Sequence, residues 1–164
     1  MSMEDPTSDG DGLSPLRAKR NAPPLVAVIE DDGAIRETLR TLLEDAGYAV
    51  IEAKDGQAGY DILCQSPKRL IAIIDHKMPR MDGCDLLHLV ENDANLSVRH
   101  TFIFLTASPK RAEEDCGETL EELDIPMVAK PFHIDEVLDA VAEAAGRIAQ
   151  PVPAGDGMLS PPSA

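Results

Sequence analysis

The sequence predicts an α/β fold in which a parallel sheet is covered by helices on both faces. Apolar runs of strand length alternate five times with segments of helical periodicity between residues 24 and 146. The central run, Leu70–Asp75, begins with five consecutive apolar residues, which is typical of a strand buried on both faces. Polar groups stand at the ends of four predicted strands, where open α/β sheets place their chemistry.

The first half of the predicted domain contains two strands and two helices. The apolar run at 24–29 is short enough to be a buried strand. Apolar residues spaced by three and four then predict a helix over 35–46, which Gly47 ends. A second strand is expected at 48–53, and a weaker helix at 55–63.

The second half begins with the central strand, which we place at 69–75. A helix at 84–90 turns its apolar residues inward, and 101–106 is a fourth strand. Ser108 and the proline after it suit the start of a helix that runs to about 123, with Gly117 as a weak point. The remaining elements are a strand shortened by a proline and a cleanly amphipathic helix, at 125–130 and 134–145.

These elements divide the chain of 164 residues into three parts. Residues 1–23 are rich in Asp, Ser, Gly and Pro, and we expect a disordered leader. Residues 24–146 form the folded domain, and 147–164 form a Pro/Gly-rich unstructured tail. The tail is too short for a second domain, so we expect no separate output domain.

The charge and the cysteine content limit the possible functions of the chain. The net charge is −15, and residues 24–146 carry −14 of it, so we expect no direct binding to nucleic acid or to anionic membranes. A cation or a basic protein is a better candidate partner than a nucleic acid or a membrane. The three cysteines show neither paired nor metal-type spacing, which favours free thiols in a reducing compartment, with a redox role for Cys84 left open. We expect a cytoplasmic protein.

The polar groups at the strand ends favour phosphoryl chemistry. Glu30 and Asp31 follow the first strand, while the third, fourth and fifth strands end at Asp75, Thr106 and Lys130. Carboxylates gathered at one edge repel unless a cation neutralises them, and Mg²⁺ prefers such oxygen ligands. A neutralised carboxylate can attack phosphorus and form an aspartyl phosphate. The ammonium and the hydroxyl at the same edge match the charged oxygens of the transferred group.

Four motifs resemble those of bacterial response-regulator receiver domains. They are the acidic pair after the first strand, DHKMPRMDG at 75–83, TAS at 106–108 and KPF at 130–132. They occur in the family's order and span 24–146. The resemblance implies a flavodoxin-like, five-stranded parallel sheet of order 2-1-3-4-5, as in the chemotaxis regulators of this family.

The resemblance also implies a role for each site residue. Asp75 would accept a phosphoryl group from a histidine kinase or a histidine phosphotransfer protein. Thr106 and Lys130 would each bind a phosphoryl oxygen, and a cis bond between Lys130 and Pro131 would help to aim the lysine. The implied Mg²⁺ ligands are Glu30 (through water), Asp31, Asp75 and the backbone carbonyl of Lys77.

The implied function is that of a single-domain response regulator, which is not an enzyme beyond self-phosphorylation from small phosphodonors and self-dephosphorylation. It would signal through phosphorylation-dependent binding of a protein target near the fourth predicted helix, the fifth strand and the last helix. Two alternatives stay open. One is a Mg²⁺-dependent phosphohydrolase with an aspartate nucleophile, although Lys77 occupies the usual position of its second acid. The other is a receiver-fold adaptor whose phosphorylation is silent.

Two positions depart from the family pattern. Met127 stands where an aromatic residue usually couples to the threonine, so the aromatic switch is in question. Lys77 places a long cation beside the phosphoryl site, where we hypothesise that it shields the aspartyl phosphate from water.

Several other polar residues have simpler structural interpretations. Asp32 could bind the metal or cap the first helix. Asp82 and Gly83 suit a turn, and Ser108 suits a helix cap. The four histidines lack ligand-like spacing and are expected to be solvated or structural: His76, His88, His100 and His133.

Overall fold

The computed structural model of the chain describes residues 23–149. The strands are β1 (Leu25–Ile29), β2 (Ala49–Ala53), β3 (Leu70–Asp75), β4 (Thr101–Thr106) and β5 (Met127–Ala129). The helices are α1 (Gly33–Asp45), α2 (Gly56–Gln65), α3 (Gly83–Glu91), α4 (Ala94–Arg99), α5 (Pro109–Glu122) and α6 (Ile134–Ala149).

The five strands form one parallel sheet in the order β2-β1-β3-β4-β5. The predicted fold class and strand order are therefore confirmed. Strand β3 is central, and all six of its residues are buried. Its register aligns Ile74 with Ile29 of β1 and Asp75 with Leu105 of β4. This register brings the ends of β1, β3 and β4 to one edge of the sheet.

Two hydrophobic layers cover the sheet, one on each face. Alternate residues of each strand enter opposite layers, as the two-residue period of a strand requires. Helices α1 and α6 cover one face through buried Leu, Val and Ala side chains. Helices α2, α3, α4 and α5 cover the other face, where both buried phenylalanines lie. The other buried hydrophobic side chains are mostly aliphatic, as the composition indicates.

Polar side chains cap the helices that follow the strands. The carboxylate of Asp32 accepts from the N–H groups of Ala34 and Ile35, so this residue caps α1. Asp82 and Asp85 form a reciprocal capping box at the start of α3. Ser108 caps α5, as predicted.

Three elements show the main differences from the sequence prediction. Helix α4, which Asp93 caps, was not predicted because its six residues are too few to show a clear period. Strand β5 is only three residues long, since Pro126 has no N–H and contributes only its carbonyl, to the N–H of Phe104. Helix α6 continues to Ala149, past the predicted end at Gly146.

The expectation of three free thiols is wrong for two of them. Cys84 on α3 and Cys116 on α5 form a disulfide, and their Cα atoms are 5.6 Å apart. They are separated by 32 positions in the sequence, so only the packing of α3 against α5 reveals the pair. Cys116 also has non-helical dihedrals (φ −152°, ψ 33°) and breaks α5, directly before the weak point predicted at Gly117. Cys64 is free and exposed.

The predicted leader and most of the predicted tail lie outside the described residues. Within 23–149, no helix is both long and apolar enough to cross a membrane. The cytoplasmic location stays a prediction.

Gly83 gives a stability test of the contact between α3 and β3. A Cβ at Gly83 would overlap the backbone oxygen of Asp75 and lie 2.8 Å from the ring of Phe104. We expect Gly83→Ala to lower the free energy of unfolding by about 1–3 kcal/mol, the usual cost of overpacking a core. Gly146→Ala is the matched control, because its added methyl group has no other described residue within 4 Å beyond its chain neighbours and the backbone of its own helix. It should raise that free energy by up to about 1 kcal/mol. Denaturant unfolding followed by circular dichroism measures both, and equal stabilities would contradict the close contact.

Candidate functional site

Neighbouring strands bring three carboxylates together at the edge of the sheet. Glu30 follows β1 directly and Asp75 ends β3, and these strands are adjacent. Asp31 is the next residue along the chain from Glu30. Each of the three offers one carboxylate oxygen, and these oxygens all lie within 4.8 Å of one another. Glu30 and Asp75 are buried, whereas Asp31 is exposed.

Lys130 provides the opposite charge from the end of β5. Its Nζ lies 2.6 Å from Oδ1 of Asp75 and 3.0 Å from Oε1 of Glu30. Because β4 lies between β5 and β3, the lysine side chain must reach across the end of β4 to make both contacts. The peptide bond to Pro131 is cis, as the family resemblance implied. The ammonium of Lys130 is thus held between two buried acids.

Burial and charge shift the protonation of this cluster. The pKa of Glu30 is raised from 4.5 to about 7, because removal from water and the charge of Asp75 together outweigh the lowering effect of its hydrogen bond with Lys130. Burial alone would lower the pKa of Lys130, but its hydrogen bonds with Asp75 and Glu30 outweigh that effect and raise it. One ammonium therefore faces more carboxylates than it can neutralise.

An open cavity of about 220 Å³ lies over the cluster. Its lining includes the three acids, Lys130, Ala107 and Lys77. An oxygen-only donor set with surplus negative charge fits a hard divalent cation such as Mg²⁺. A carboxylate beside an ammonium and a cation can act as a nucleophile towards phosphorus, so the arrangement suits phosphoryl transfer.

Thr106 is buried at the end of β4, with its hydroxyl bound to other groups. Its Oγ1 lies 2.8 Å from Nδ1 of His76, 3.0 Å from the N–H of Ser108 and 3.1 Å from the carbonyl of Ser108. The structure therefore brings Asp75, Glu30, Asp31 and Lys130 together, and it places the Thr106 hydroxyl against His76 instead.

His76 and Asp115 are site neighbours that the sequence reasoning did not identify as such. His76 is buried, and its Nε2 lies 3.0 Å from Oδ2 of Asp115 on α5. It is therefore structural rather than solvated, as is the buried His100. The position of His76 could have been inferred, because it directly follows Asp75 and the register of β3 and β4 sets it beside Thr106. Asp115 lies in an acidic run that resembles any exposed helix face, so its role carries no sequence signal.

Lys77 contacts α5 instead of the carboxylate cluster. Its Nζ lies 3.1 Å from Oδ2 of Asp115 and 4.0 Å from Oδ2 of Asp82. The hydrogen bonds from Lys77 and His76 lower the pKa of Asp115. The hypothesis that Lys77 shields a phosphoryl group would require the lysine to leave these partners.

The family pattern of the response regulator receiver domain matches residues 26–142, and the chain belongs to this family. Receiver domains generally accept a phosphoryl group and are not enzymes. They bind Mg²⁺ through acidic residues, and they interact with histidine kinases and downstream targets.

Relatives and solved structures agree with this membership. The transcriptional regulatory protein PdtaR of Mycobacterium tuberculosis is 31% identical over 88% of this chain and 64% of its own length. The transcriptional regulatory protein PhoP of Escherichia coli is 35% identical over 69% of this chain and 48% of its own length. A response regulator receiver protein from Pseudomonas putida superposes with a TM-score of 0.63 at 25% identity, covering 74% of this chain and 98% of that one. The chain thus spans between about half and two thirds of these two regulators.

The raised pKa of Glu30 predicts a pH dependence of stability in Mg²⁺-free solution. Between pH 4.5 and about 7 the folded protein keeps a proton on Glu30 that the unfolded chain has released. The free energy of unfolding should therefore fall as the pH rises through this window, by up to about 3 kcal/mol from this group, and then level off. Glu30→Gln cannot titrate, so the difference between wild type and variant isolates the effect. Urea unfolding with a chelator, at several pH values, measures it. A difference that is constant with pH would show that Glu30 titrates normally.

Proposed function

We propose that the chain acts as the receiver of a response regulator, accepts a phosphoryl group on Asp75 and signals by binding a protein target. The observation that carries this proposal is the contact of 2.6 Å between Lys130 and Asp75 inside the carboxylate cluster. An ammonium held on a buried strand-end carboxylate, beneath an open cavity, is suited to receive a dianionic phosphoryl group. The donor would be a histidine kinase or a histidine phosphotransfer protein.

The proposed transfer needs one new bond and breaks one. An oxygen of Asp75 attacks phosphorus while the P–N bond to the donor's imidazole breaks, and the imidazole leaves. Lys130 then moves from a carboxylate oxygen to a phosphoryl oxygen. Thr106 could bind a second phosphoryl oxygen only after its hydroxyl leaves His76, so we expect phosphorylation to change the contact between β4 and β3.

Mg²⁺ would be held by Asp31 and Asp75 directly, by Glu30 through water and by the backbone carbonyl of Lys77. The ion would neutralise the carboxylates and screen the charge of the incoming group. The surplus of acids over cations at this edge, and the cavity beside them, support the assignment.

The target would dock on the face formed by α5, β5 and α6, the fourth predicted helix being α5. A groove of about 780 Å³ lies on this face. Its acidic residues outnumber its single basic residue, and that residue, Arg147, is paired with Asp124. Met127 lines the same groove in place of the family's aromatic residue. An acidic groove with an apolar floor favours a partner segment that carries basic and apolar side chains.

Incubation with acetyl phosphate and Mg²⁺ tests the phosphoacceptor. Intact mass spectrometry should show a labile addition of about 80 Da in the wild type, since a small phosphodonor can replace the protein donor. Asp75→Asn should show none. Asp82→Asn is the matched control. Asp82 is an acid of the loop that follows Asp75, but its role is to cap α3, so this variant should keep the adduct.

Each other outcome of this experiment opposes the proposal. An adduct that persists in Asp75→Asn would place the phosphoryl group elsewhere. Sustained turnover of phosphate esters would favour the phosphohydrolase, and the absence of an adduct in the wild type would favour the silent adaptor.

Adjacent aspartates allow a test of the Mg²⁺ ligands. Asp31→Asn should abolish the stabilisation that Mg²⁺ gives the wild type, which is about 2.7 kcal/mol at 100 times the dissociation constant. Asp32→Asn should keep that stabilisation, since Asp32 caps α1 and asparagine caps equally well. Thermal unfolding with and without Mg²⁺ measures both variants. Loss of the stabilisation in Asp32→Asn alone would reverse the assignment.

A further inference from the structure

A second group of potential metal ligands lies on the sheet face that α3 and α5 cover. His76, Cys84 and Asp115 each offer one ligand atom, and these atoms all lie within 4.8 Å of one another. Cys116 adds a fourth candidate, since its sulfur is bonded to that of Cys84. His76, Cys84 and Cys116 are buried, and Asp115 closes the group towards solvent.

We propose that these four residues bind a Zn²⁺-like transition-metal ion when the disulfide between Cys84 and Cys116 is reduced. Two thiolates, one imidazole and one carboxylate make a four-ligand set of the kind that tetrahedral zinc uses. Mg²⁺ does not select thiolates, so this site differs in chemistry from the oxygen cluster at Asp75. The site goes beyond the proposed phosphoacceptor function and does not depend on it.

Reduction must come before binding. A dithiol reductant supplies two electrons and two protons, the S–S bond breaks, and the reductant becomes a disulfide. Each freed thiol then loses its proton as it binds the ion. Two thiolates on one tetrahedral zinc lie about 3.8 Å apart, by simple geometry from the usual zinc–sulfur length of about 2.3 Å, and they cannot be bonded to each other at that distance. Disulfide and metal therefore exclude each other.

The surroundings of the four residues suit a bound cation. His76 already directs Nε2 towards the carboxylate of Asp115, at 3.0 Å. Lys77 donates to the same carboxylate at 3.1 Å, which would hold it in place and offset the negative charge of the ligand set. Metal-ligating histidines usually bind a second group through their other nitrogen, and Nδ1 of His76 lies 2.8 Å from the hydroxyl of Thr106.

This last contact links the proposed metal to the phosphoryl site. A neutral histidine bound to metal through Nε2 carries its proton on Nδ1, so it can only donate to Oγ1 of Thr106. The hydroxyl can then accept from His76 and from the N–H of Ser108 while it donates to the carbonyl of Ser108. All of its hydrogen-bonding capacity is used in that arrangement. The metal would thus hold Thr106 away from Asp75.

Cobalt titration of the reduced full-length chain tests the site. We expect one equivalent of Co²⁺ to produce the thiolate-to-cobalt charge-transfer band and the intense visible bands of tetrahedral cobalt, and Zn²⁺ to abolish them. The disulfide form should show neither. Cys84→Ser, Cys116→Ser and His76→Gln should each lose or strongly weaken the bands. Because Asp115 is exposed, Asp115→Asn should fold normally and bind about tenfold more weakly.

Two controls make the result specific. Cys64→Ser removes the exposed free thiol, and Asp31→Asn disables the oxygen cluster, so both should keep the cobalt bands unchanged. The proposal is overturned by the absence of thiolate bands in the reduced wild type, by bands that survive Cys84→Ser or Cys116→Ser, or by bands that Cys64→Ser removes. Asp75→Asn should also keep the cobalt bands. The metal site and the phosphoacceptor therefore have independent readouts, and failure of one proposal would not be mistaken for failure of the other.

Discussion

The ammonium of Lys130 lies between two buried carboxylates, 2.6 Å from Asp75 and 3.0 Å from Glu30. Three different strands of the sheet bring these groups together, so the contact exists only when the strand order is correct. Removal of the ammonium would leave two buried carboxylates without a cation, which is strongly destabilising. The geometry of the edge of the sheet and the chemistry of the site therefore depend on the same interaction.

One lysine cannot balance the whole cluster. The pKa of Glu30 is raised, because burial and the charge of Asp75 disfavour a second anion in the cluster. A divalent cation or an incoming anion would each change this balance, the first by satisfying the carboxylates and the second by drawing the ammonium away. The edge of the sheet is consequently a place where binding and protonation are coupled, which suits the phosphoryl acceptance that we propose for it.

A second set of contacts connects this edge to α5. The hydroxyl of Thr106 binds His76, which reaches Asp115, and Lys77 reaches the same carboxylate. Met127 replaces the family's usual aromatic partner of the threonine and instead packs at the margin of the core. In this chain the threonine is thus tied through a histidine to α5, the helix that lines the acidic groove, so the contacts connect the proposed phosphoryl site with that helix.

The sequence by itself determined the parallel sheet and the residues at its edge, while the strand order followed from the resemblance of four motifs to a known family. Strand and helix periods are local, and parallel strands must bring their ends together, so Glu30, Asp75 and Lys130 could be named without coordinates. Only the tertiary structure decided the short helix α4, the break in α5, the disulfide and the position of His76 against Asp115. Helix α4 is too short to show a period, whereas the disulfide and the contact of His76 with Asp115 join segments more than 30 positions apart, which leave no period in the sequence.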